Sequence, residues 1–124
     1  MLDRGLDAAL RALAETSAIP VTLDIGTDGR PSPAIEAIVY FSTAELLANA
    51  AKHSGASMIA VTVKDLDRGV LLSVTDNGTG GARVADGGGL AGLLGRARTV
   101  DGRLAVDSPA GGPTTITIEL PRHA

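Results

Sequence analysis

Hydrophobic and polar residues alternate along the 124-residue chain at two spacings, one helical and one strand-like. The segment from Leu2 to Glu15 carries leucines at helical spacing and stops before Ile19-Pro20, which predicts a first helix. From Pro33 to His53 the spacing is again helical, and proline suits the first turn of a helix, so a second and longer helix is predicted there. A third, short helix is predicted from Leu90 to about Val100.

Other segments have the alternation that is typical of strands. The polar residues Lys64 to Gly69 separate two of them and indicate a hairpin. The element order αβαββαββ predicts an α+β domain, a two-layer sandwich in which helices cover one face of a mostly antiparallel mixed sheet. The predicted strands are Val21–Ile25, Ser57–Val63, Val70–Thr75, Arg103–Asp107 and Thr114–Leu120.

The composition of the chain excludes several classes of function. The chain has no cysteine and only two histidines, His53 and His123, which excludes thiolate zinc sites, disulfide scaffolds and cysteine nucleophiles. A net charge of −3 with one Tyr and one Phe does not suit a nucleic-acid binder, so no nucleic-acid partner is expected. No run approaches the roughly 18 apolar residues that cross a bilayer, so no direct membrane contact is expected.

Four polar residues of the second predicted helix lie on one stripe, because at about 100° per residue they share a sector of about 100°. A solvated face of an amphipathic helix is the simplest interpretation. Asparagine is a poor helix former, however, and an acid, an amide and a cation on consecutive turns suit a divalent ion and a phosphate. The four residues are Glu45, Asn49, Lys52 and His53.

Half of the 16 glycines lie between Gly78 and Gly95. The first of them follow Asp76, which ends an apolar strand, and their missing Cβ atoms leave room for a ligand. A carboxylate in such a position can accept a hydrogen bond from an exocyclic amine. Taken by itself, Asp-Asn-Gly favours an ordinary strand-ending turn over a ligand site, and both interpretations stay open.

A second glycine-rich run leads into the third predicted helix. It matches G-x-G-x-x-G at Gly87, Gly89 and Gly92, but no strand directly precedes it, so a Rossmann loop is excluded. Its backbone N–H groups at a helix start suit phosphate oxygens. We expect a mobile lid that orders over phosphates, with residues from about Gly80 to Gly89 poorly ordered without nucleotide.

Together these motifs resemble the ATP-binding catalytic domain of sensor histidine kinases, in the GHKL superfamily that includes gyrase, Hsp90 and MutL. The Lys52-His53 pair and the pattern ending at Arg96-Ala97 are similar to the NarL/DesK-type subfamily. Asn77 replaces a frequent second Asp, Leu94 a frequent Met, and Asp101-Gly102 a Gly-Gly pair. The matching segments are Glu45–His53 (N-box), Asp76–Gly80 (G1 box), Gly87–Leu93 (G2 box) and Gly112–Thr115 (the last ATP-contacting box).

The resemblance implies a Bergerat-type ATP-binding fold and a protein-histidine kinase that uses ATP and Mg²⁺. It implies that Asn49 coordinates Mg²⁺ with Glu45 beside it, and that Glu45 orients or deprotonates the attacking group. By the same resemblance Lys52 and His53 face the phosphates, Asp76 binds the adenine amino group, and Thr114 or Thr115 supports the ring. The remaining implied nucleotide contacts are Gly78, Gly80, Gly87, Gly88, Gly89, Leu90, Gly92 and Leu93.

Such kinases transfer the γ-phosphoryl group to a histidine on a separate dimerisation helix, and neither His53 nor His123 is expected to be that acceptor. We therefore expect residues 1–18 to be a helical lead-in from a missing dimerisation and phosphoacceptor domain, packed on an ATP-binding domain of residues 19–124. The isolated chain should bind ATP without phosphorylating itself. The resemblance also implies a response regulator downstream and a cytoplasmic location. A serine-protein kinase of the anti-sigma type and a non-catalytic nucleotide-binding interaction module are the alternatives.

Overall fold

The computed structural model describes residues 5–26, 32–67, 69–78 and 89–121. The predicted order of helices and strands is confirmed within these ranges. Among the described residues, none of the helices combines the length and the apolar character needed to cross a lipid bilayer. The elements are α1 Gly5–Glu15, β1 Val21–Gly26, α2 Pro33–Asn49, a π-helical segment Ala50–Ser54, β2 Ile59–Leu66, β3 Gly69–Asp76, α3 Gly89–Arg98, β4 Arg103–Asp107 and β5 Thr114–Pro121.

The strands form one five-stranded sheet in the order β1-β2-β3-β5-β4. β1 runs parallel to β2, and the other neighbouring pairs are antiparallel. Side chains on β3 alternate: Val70, Leu72 and Val74 are buried, whereas the residues between them are only half-buried. The helices therefore cover one face of a mixed, mostly antiparallel sheet, and the predicted two-layer α+β architecture is confirmed.

The core lies between this face of the sheet and the helices. Leu10 of α1 and Val39 of α2 are completely or almost completely buried and belong to the same hydrophobic cluster as the strand residues. α2 begins where the sequence predicts, because Ser32 caps it by accepting a hydrogen bond from the backbone N–H of Ile35 and Pro33 occupies its first turn. α3 contacts α2 through a cation–π interaction: the guanidinium of Arg96 lies 5.5 Å from the centre of the Phe41 ring.

The hairpin between β2 and β3 is tighter than the sequence predicts. The expected linker from Lys64 to Gly69 is wrong at both ends, because β2 continues to Leu66 and Gly69 already pairs with it. Gly69 also crosses close to β5, where a Cβ atom would collide with the backbone carbonyl of Leu120. Glycine therefore marks a strand contact at this position and not only a turn.

α3 ends in a Schellman motif. The N–H of Gly102 donates to the carbonyl of Ala97 at 2.7 Å, and the N–H of Asp101 donates to the carbonyl of Arg98 at 3.2 Å. Asp101 has a φ of 60°, the left-handed conformation that glycine adopts most easily. The replacement of a Gly-Gly pair by Asp101-Gly102, noted in the sequence, therefore places a side chain at a conformationally costly position.

Candidate functional site

The candidate site lies at the end of the sheet where β3 stops and β5 starts. Asp76 pairs with Thr114 of β5 on one side and with Ile59 of β2 on the other. All three side chains are buried on the face that the helices cover, Asp76 with 9% of its surface exposed. A carboxylate at the edge of an otherwise apolar cluster needs polar partners, which makes this position a candidate for ligand binding.

Asp76 also organises the turn that follows it. One of its carboxylate oxygens accepts a hydrogen bond from the backbone N–H of Gly78 at 2.9 Å, and Gly78 itself is buried. The bond links residues two apart, as in an Asx turn. Asp76 thus forms part of a strand-ending turn and also carries a buried carboxylate, so the two interpretations of the sequence do not exclude each other.

Thr114 and Thr115, which the sequence leaves as alternatives, lie on opposite faces of the sheet. The Thr114 hydroxyl is 2.6 Å from that of Ser108, on the side of Asp76. The Thr115 hydroxyl is 3.1 Å from that of Thr75, on the face that the helices leave open. Of the two, only Thr114 shares a face with Asp76.

The polar residues at the end of α2 differ in exposure. Glu45 and Lys52 are exposed and Asn49 is half-buried. Glu45 and Asn49 are one α-helical turn apart, so their side chains point to the same side of the helix. Among the described residues, no three His, Cys, Asp or Glu side chains come together as a possible metal site.

The predicted continuation of this helix to His53 is wrong in its geometry. The α-helix ends at Asn49 and continues as the π-helical segment Ala50–Ser54, which closes at Gly55 in the left-handed conformation. A π-helical turn is wider than an α-helical one, so the angles calculated at α-helical spacing do not apply to Lys52 and His53. The side chain of His53 lies outside the described residues.

The described residues of the Gly87–Leu93 motif lie partly in the core and partly at the surface. Leu90 and Leu93 of α3 are buried in the hydrophobic cluster, whereas Gly92 is exposed. Gly89 begins the helix, so the run of glycines ends at a helix N-terminus as predicted. Gly80, Gly87 and Gly88, and with them the expected order of the lid, lie outside the described residues.

The sequence around Asn77 indicates only a turn, but in the structure its side chain also binds a distant segment. Its side-chain oxygen accepts hydrogen bonds from the N–H groups of Ser57 and Met58 at 2.8 and 3.0 Å. Its side-chain nitrogen donates to the Ser57 hydroxyl at 3.0 Å. These partners lie about 20 residues away, so no local pattern in the sequence reveals them.

The chain is similar in sequence to known proteins. Residues 36–124 match the family described as histidine kinase-, DNA gyrase B-, and HSP90-like ATPase. The chain is 31% identical over 128 residues to the oxygen sensor histidine kinase NreB of Staphylococcus carnosus, covering 96% of this chain and 37% of that protein. It is 41% identical over 85 residues to the nitrate/nitrite sensor protein NarX of Escherichia coli K12, covering 64% of this chain and 14% of that protein.

The chain also resembles solved structures in its fold. The ATP-binding domain of PrrB from Mycobacterium tuberculosis superposes with a TM-score of 0.62 at 26% identity, covering 94% of this chain and 90% of that one. The blue-light activated histidine kinase of Erythrobacter litoralis EL346 shares the fold, with a TM-score of 0.72 at 19% identity over 94% of this chain and 40% of that one. The chain spans 37% or less of the length of the two sensor proteins above. It belongs to the histidine kinase-, DNA gyrase B- and HSP90-like ATPase family, as one of its ATP-binding domains.

Proposed function

We propose that this chain is the catalytic ATP-binding domain of a two-component sensor histidine kinase. It would bind ATP with Mg²⁺ and donate the γ-phosphoryl group to a histidine on a dimerisation domain, for relay to a response regulator. The observation that carries the proposal is the buried carboxylate of Asp76 between Ile59 and Thr114, on the helix-covered face at one end of the sheet. The similarity to sensor kinases supports it.

The adenine end of the site is assigned to Asp76 and Thr114. The adenine amino group would donate to the Asp76 carboxylate, which the bond from Gly78 already orients. Thr114 offers a hydroxyl on the same face, and Thr115 is left out because its side chain faces the other way. Ile59, which is 1% exposed, pairs with Asp76 from β2 and makes the surroundings of the carboxylate apolar.

The phosphate end is assigned to the end of α2 and the start of α3. Asn49 would coordinate Mg²⁺ with Glu45 beside it, because Mg²⁺ takes few protein oxygens and completes its shell with phosphates and water. When bound, Mg²⁺ neutralises charge on the phosphates. Lys52 supplies a cation on the exposed side, with His53 as its neighbour, and the N-terminal N–H groups of α3 suit phosphate oxygens.

The transfer step needs a partner that carries the acceptor histidine. Glu45 would accept the proton of the attacking imidazole as its nitrogen bonds to the γ-phosphorus and ADP leaves. Because positioning dominates phosphoryl transfer, the chain should depend on its dimerisation domain for turnover. α1, whose Leu6 and Leu10 pack into the core, would be the lead-in from that domain, and the assembly would act in the cytoplasm.

Discrimination between purines tests the proposal. Adenine presents an amino group to Asp76, whereas guanine presents a carbonyl oxygen that a carboxylate repels. In competition calorimetry we expect ATP to bind at least about 100-fold more tightly than GTP. Asp76→Asn should lower the ATP affinity by a similar factor of about 100. Equal affinity for the two nucleotides would reject the assignment of Asp76, and an unchanged ATP affinity in Asp76→Asn would do the same.

A further inference from the structure

Asn77 joins two segments that the chain separates by about 20 residues. Besides the three side-chain bonds to Ser57 and Met58, its backbone N–H donates to the Met58 carbonyl at 3.3 Å. The four bonds connect the residue after Asp76 to two consecutive residues before β2. Three of them use backbone groups of Ser57 and Met58 and the fourth uses the Ser57 hydroxyl, so none depends on the Met58 side chain.

Side-chain packing restrains Ser57 and Met58, the residues that Asn77 binds, only weakly. The side chains of Ser57 and Met58 are exposed, Met58 with 56% of its surface in solvent, and Gly55 is exposed as well. This segment connects the π-helical residues Ala50–Ser54 to β2. Since Ser57 and Met58 bury little of their side chains, the hydrogen bonds to Asn77 contribute strongly to where the segment lies.

The position of this segment matters because of what lies at either end of the linkage. Before this segment comes Lys52 of the π-helical residues, assigned to the phosphates. Asp76, assigned to adenine, directly precedes Asn77 in the chain. Asp76 is held independently in the ladder between β2 and β5. The bonds of Asn77 therefore contribute to the distance between the Asp76 carboxylate and the π-helical residues that carry Lys52.

We propose that Asn77 is a positioning residue that holds the π-helical segment carrying Lys52 at a fixed distance from the Asp76 carboxylate. The inference rests on the proposed function. Asparagine suits the role because its amide accepts from two N–H groups and donates to a hydroxyl at once. Aspartate could keep the arrangement, since a carboxylate accepts from both N–H groups and from the Ser57 hydroxyl.

The two ends of a nucleotide should respond differently when Asn77 is removed. Asn77→Ala removes three of the four bonds and loosens the segment between Lys52 and β2, but leaves Asp76 in its ladder and Asn49 in the packed helix α2. We expect the affinity for ATP with Mg²⁺ to fall by about 10-fold or more and the affinity for adenosine, which has no phosphates, to change by less than about 2-fold. Asn77→Asp should restore the ATP affinity.

A matched control removes a comparable bond elsewhere. The Ser17 hydroxyl donates to the Ile19 carbonyl at 2.7 Å and accepts from the Ile19 N–H at 3.2 Å, in the loop between α1 and β1. Ser17→Ala loosens the helix-to-strand loop before β1, which β2 separates from β3 in the sheet, so it should leave the ratio of ATP to adenosine affinity unchanged. Ser57→Ala removes only the bond from the Asn77 side-chain nitrogen and should shift the ratio in the same direction as Asn77→Ala, by less.

The experiment is a calorimetric titration of all five proteins with ATP and Mg²⁺ and with adenosine, at a temperature where circular dichroism shows each to be folded. The inference is overturned if Asn77→Ala keeps its ATP affinity, if it loses ATP and adenosine affinity in equal proportion, or if Asn77→Asp fails to restore it. If Asn77→Ala does not fold, an unchanged ratio in Ser57→Ala overturns it. A wild-type chain that binds neither ligand would reject the proposed function itself, and the inference with it.

Discussion

Thr114 lies directly opposite Asp76 on the neighbouring strand, and both side chains are buried on the helix-covered face of the sheet. The next residue, Thr115, faces the other way and hydrogen-bonds Thr75. Two adjacent threonines of the same strand therefore differ in whether they can reach a ligand beside Asp76. That difference can be measured, because each can be replaced by a residue of the same shape.

Thr114→Val should lower the affinity for ATP by about 10-fold, because it removes a hydroxyl beside the adenine-binding carboxylate. Thr115→Val should change the affinity by less than about 2-fold. Each variant loses one bond between hydroxyl groups, to Ser108 or to Thr75, so the pair is matched in the kind of bond lost. The affinities are measured by calorimetric titration with ATP. Equal losses of affinity in both variants would show that Thr114 contributes no more to ATP binding than Thr115.

The choice between these threonines shows where sequence reasoning ends. Alternation at period two places Thr114 and Thr115 on opposite faces, but which face carries Asp76 depends on the pairing of β3 with β5, about 40 residues apart. The register of that pairing is a tertiary property. The sequence accordingly predicts both the strand and the motif, and leaves the ligand-facing residue open.

Most of the remaining fold is predictable because hydrophobic periods of two and 3.6 residues recur in clear segments. The π-helical segment Ala50–Ser54 is not predictable, since its residues are compatible with an α-helix and only the wider turn distinguishes it. The hydrogen bonds of Asn77 are likewise invisible, because their partners are distant in sequence. What the sequence misses at this site is thus decided by non-local contacts and by a local change of helix type.

Asp101→Gly should stabilise the domain by about 1 kcal/mol, because glycine adopts the left-handed conformation of this residue without a steric penalty. The free energy of unfolding in urea is the quantity to compare. The neighbouring Gly102→Ala should destabilise the domain, since a Cβ there would lie 2.8 Å from the carbonyl oxygen of Glu119. A loss of stability in Asp101→Gly would mean that the aspartate side chain compensates for the strain.

Ser42→Ala should leave the domain equally stable or raise its free energy of unfolding by up to about 1 kcal/mol. The Ser42 side chain is completely buried, and its hydroxyl has no hydrogen-bond partner among the described residues. Alanine removes this cost and is the better helix former. Its neighbour Thr43 is the control: the buried hydroxyl donates to the Val39 carbonyl at 2.8 Å, so Thr43→Ala should cost about 1–2 kcal/mol. The free energy of unfolding of both variants can be measured in urea. A lower value for Ser42→Ala than for Thr43→Ala would contradict the prediction.

Glu45→Gln should separate binding from transfer. Glu45 is exposed at the end of α2, so its replacement should change the affinity for ATP by less than about 3-fold. With a histidine-bearing dimerisation domain supplied in the same chain or in trans, the variant should transfer γ-labelled phosphate about 100-fold more slowly. The isolated wild-type chain should retain no label. Undiminished transfer by Glu45→Gln would remove the proposed proton acceptor, and labelling of the isolated chain would contradict the need for a separate acceptor domain.

The most direct measurement is a calorimetric titration of the wild-type chain and of Asn49→Ala with ATP, each with and without Mg²⁺, at up to about millimolar nucleotide. The wild-type chain should bind ATP more tightly when Mg²⁺ is present. Asn49→Ala should bind it with an affinity that no longer depends on Mg²⁺, because the amide oxygen assigned to the ion is gone. Failure of the wild-type chain to bind any adenine nucleotide at these concentrations would contradict its assignment as an ATP-binding kinase domain.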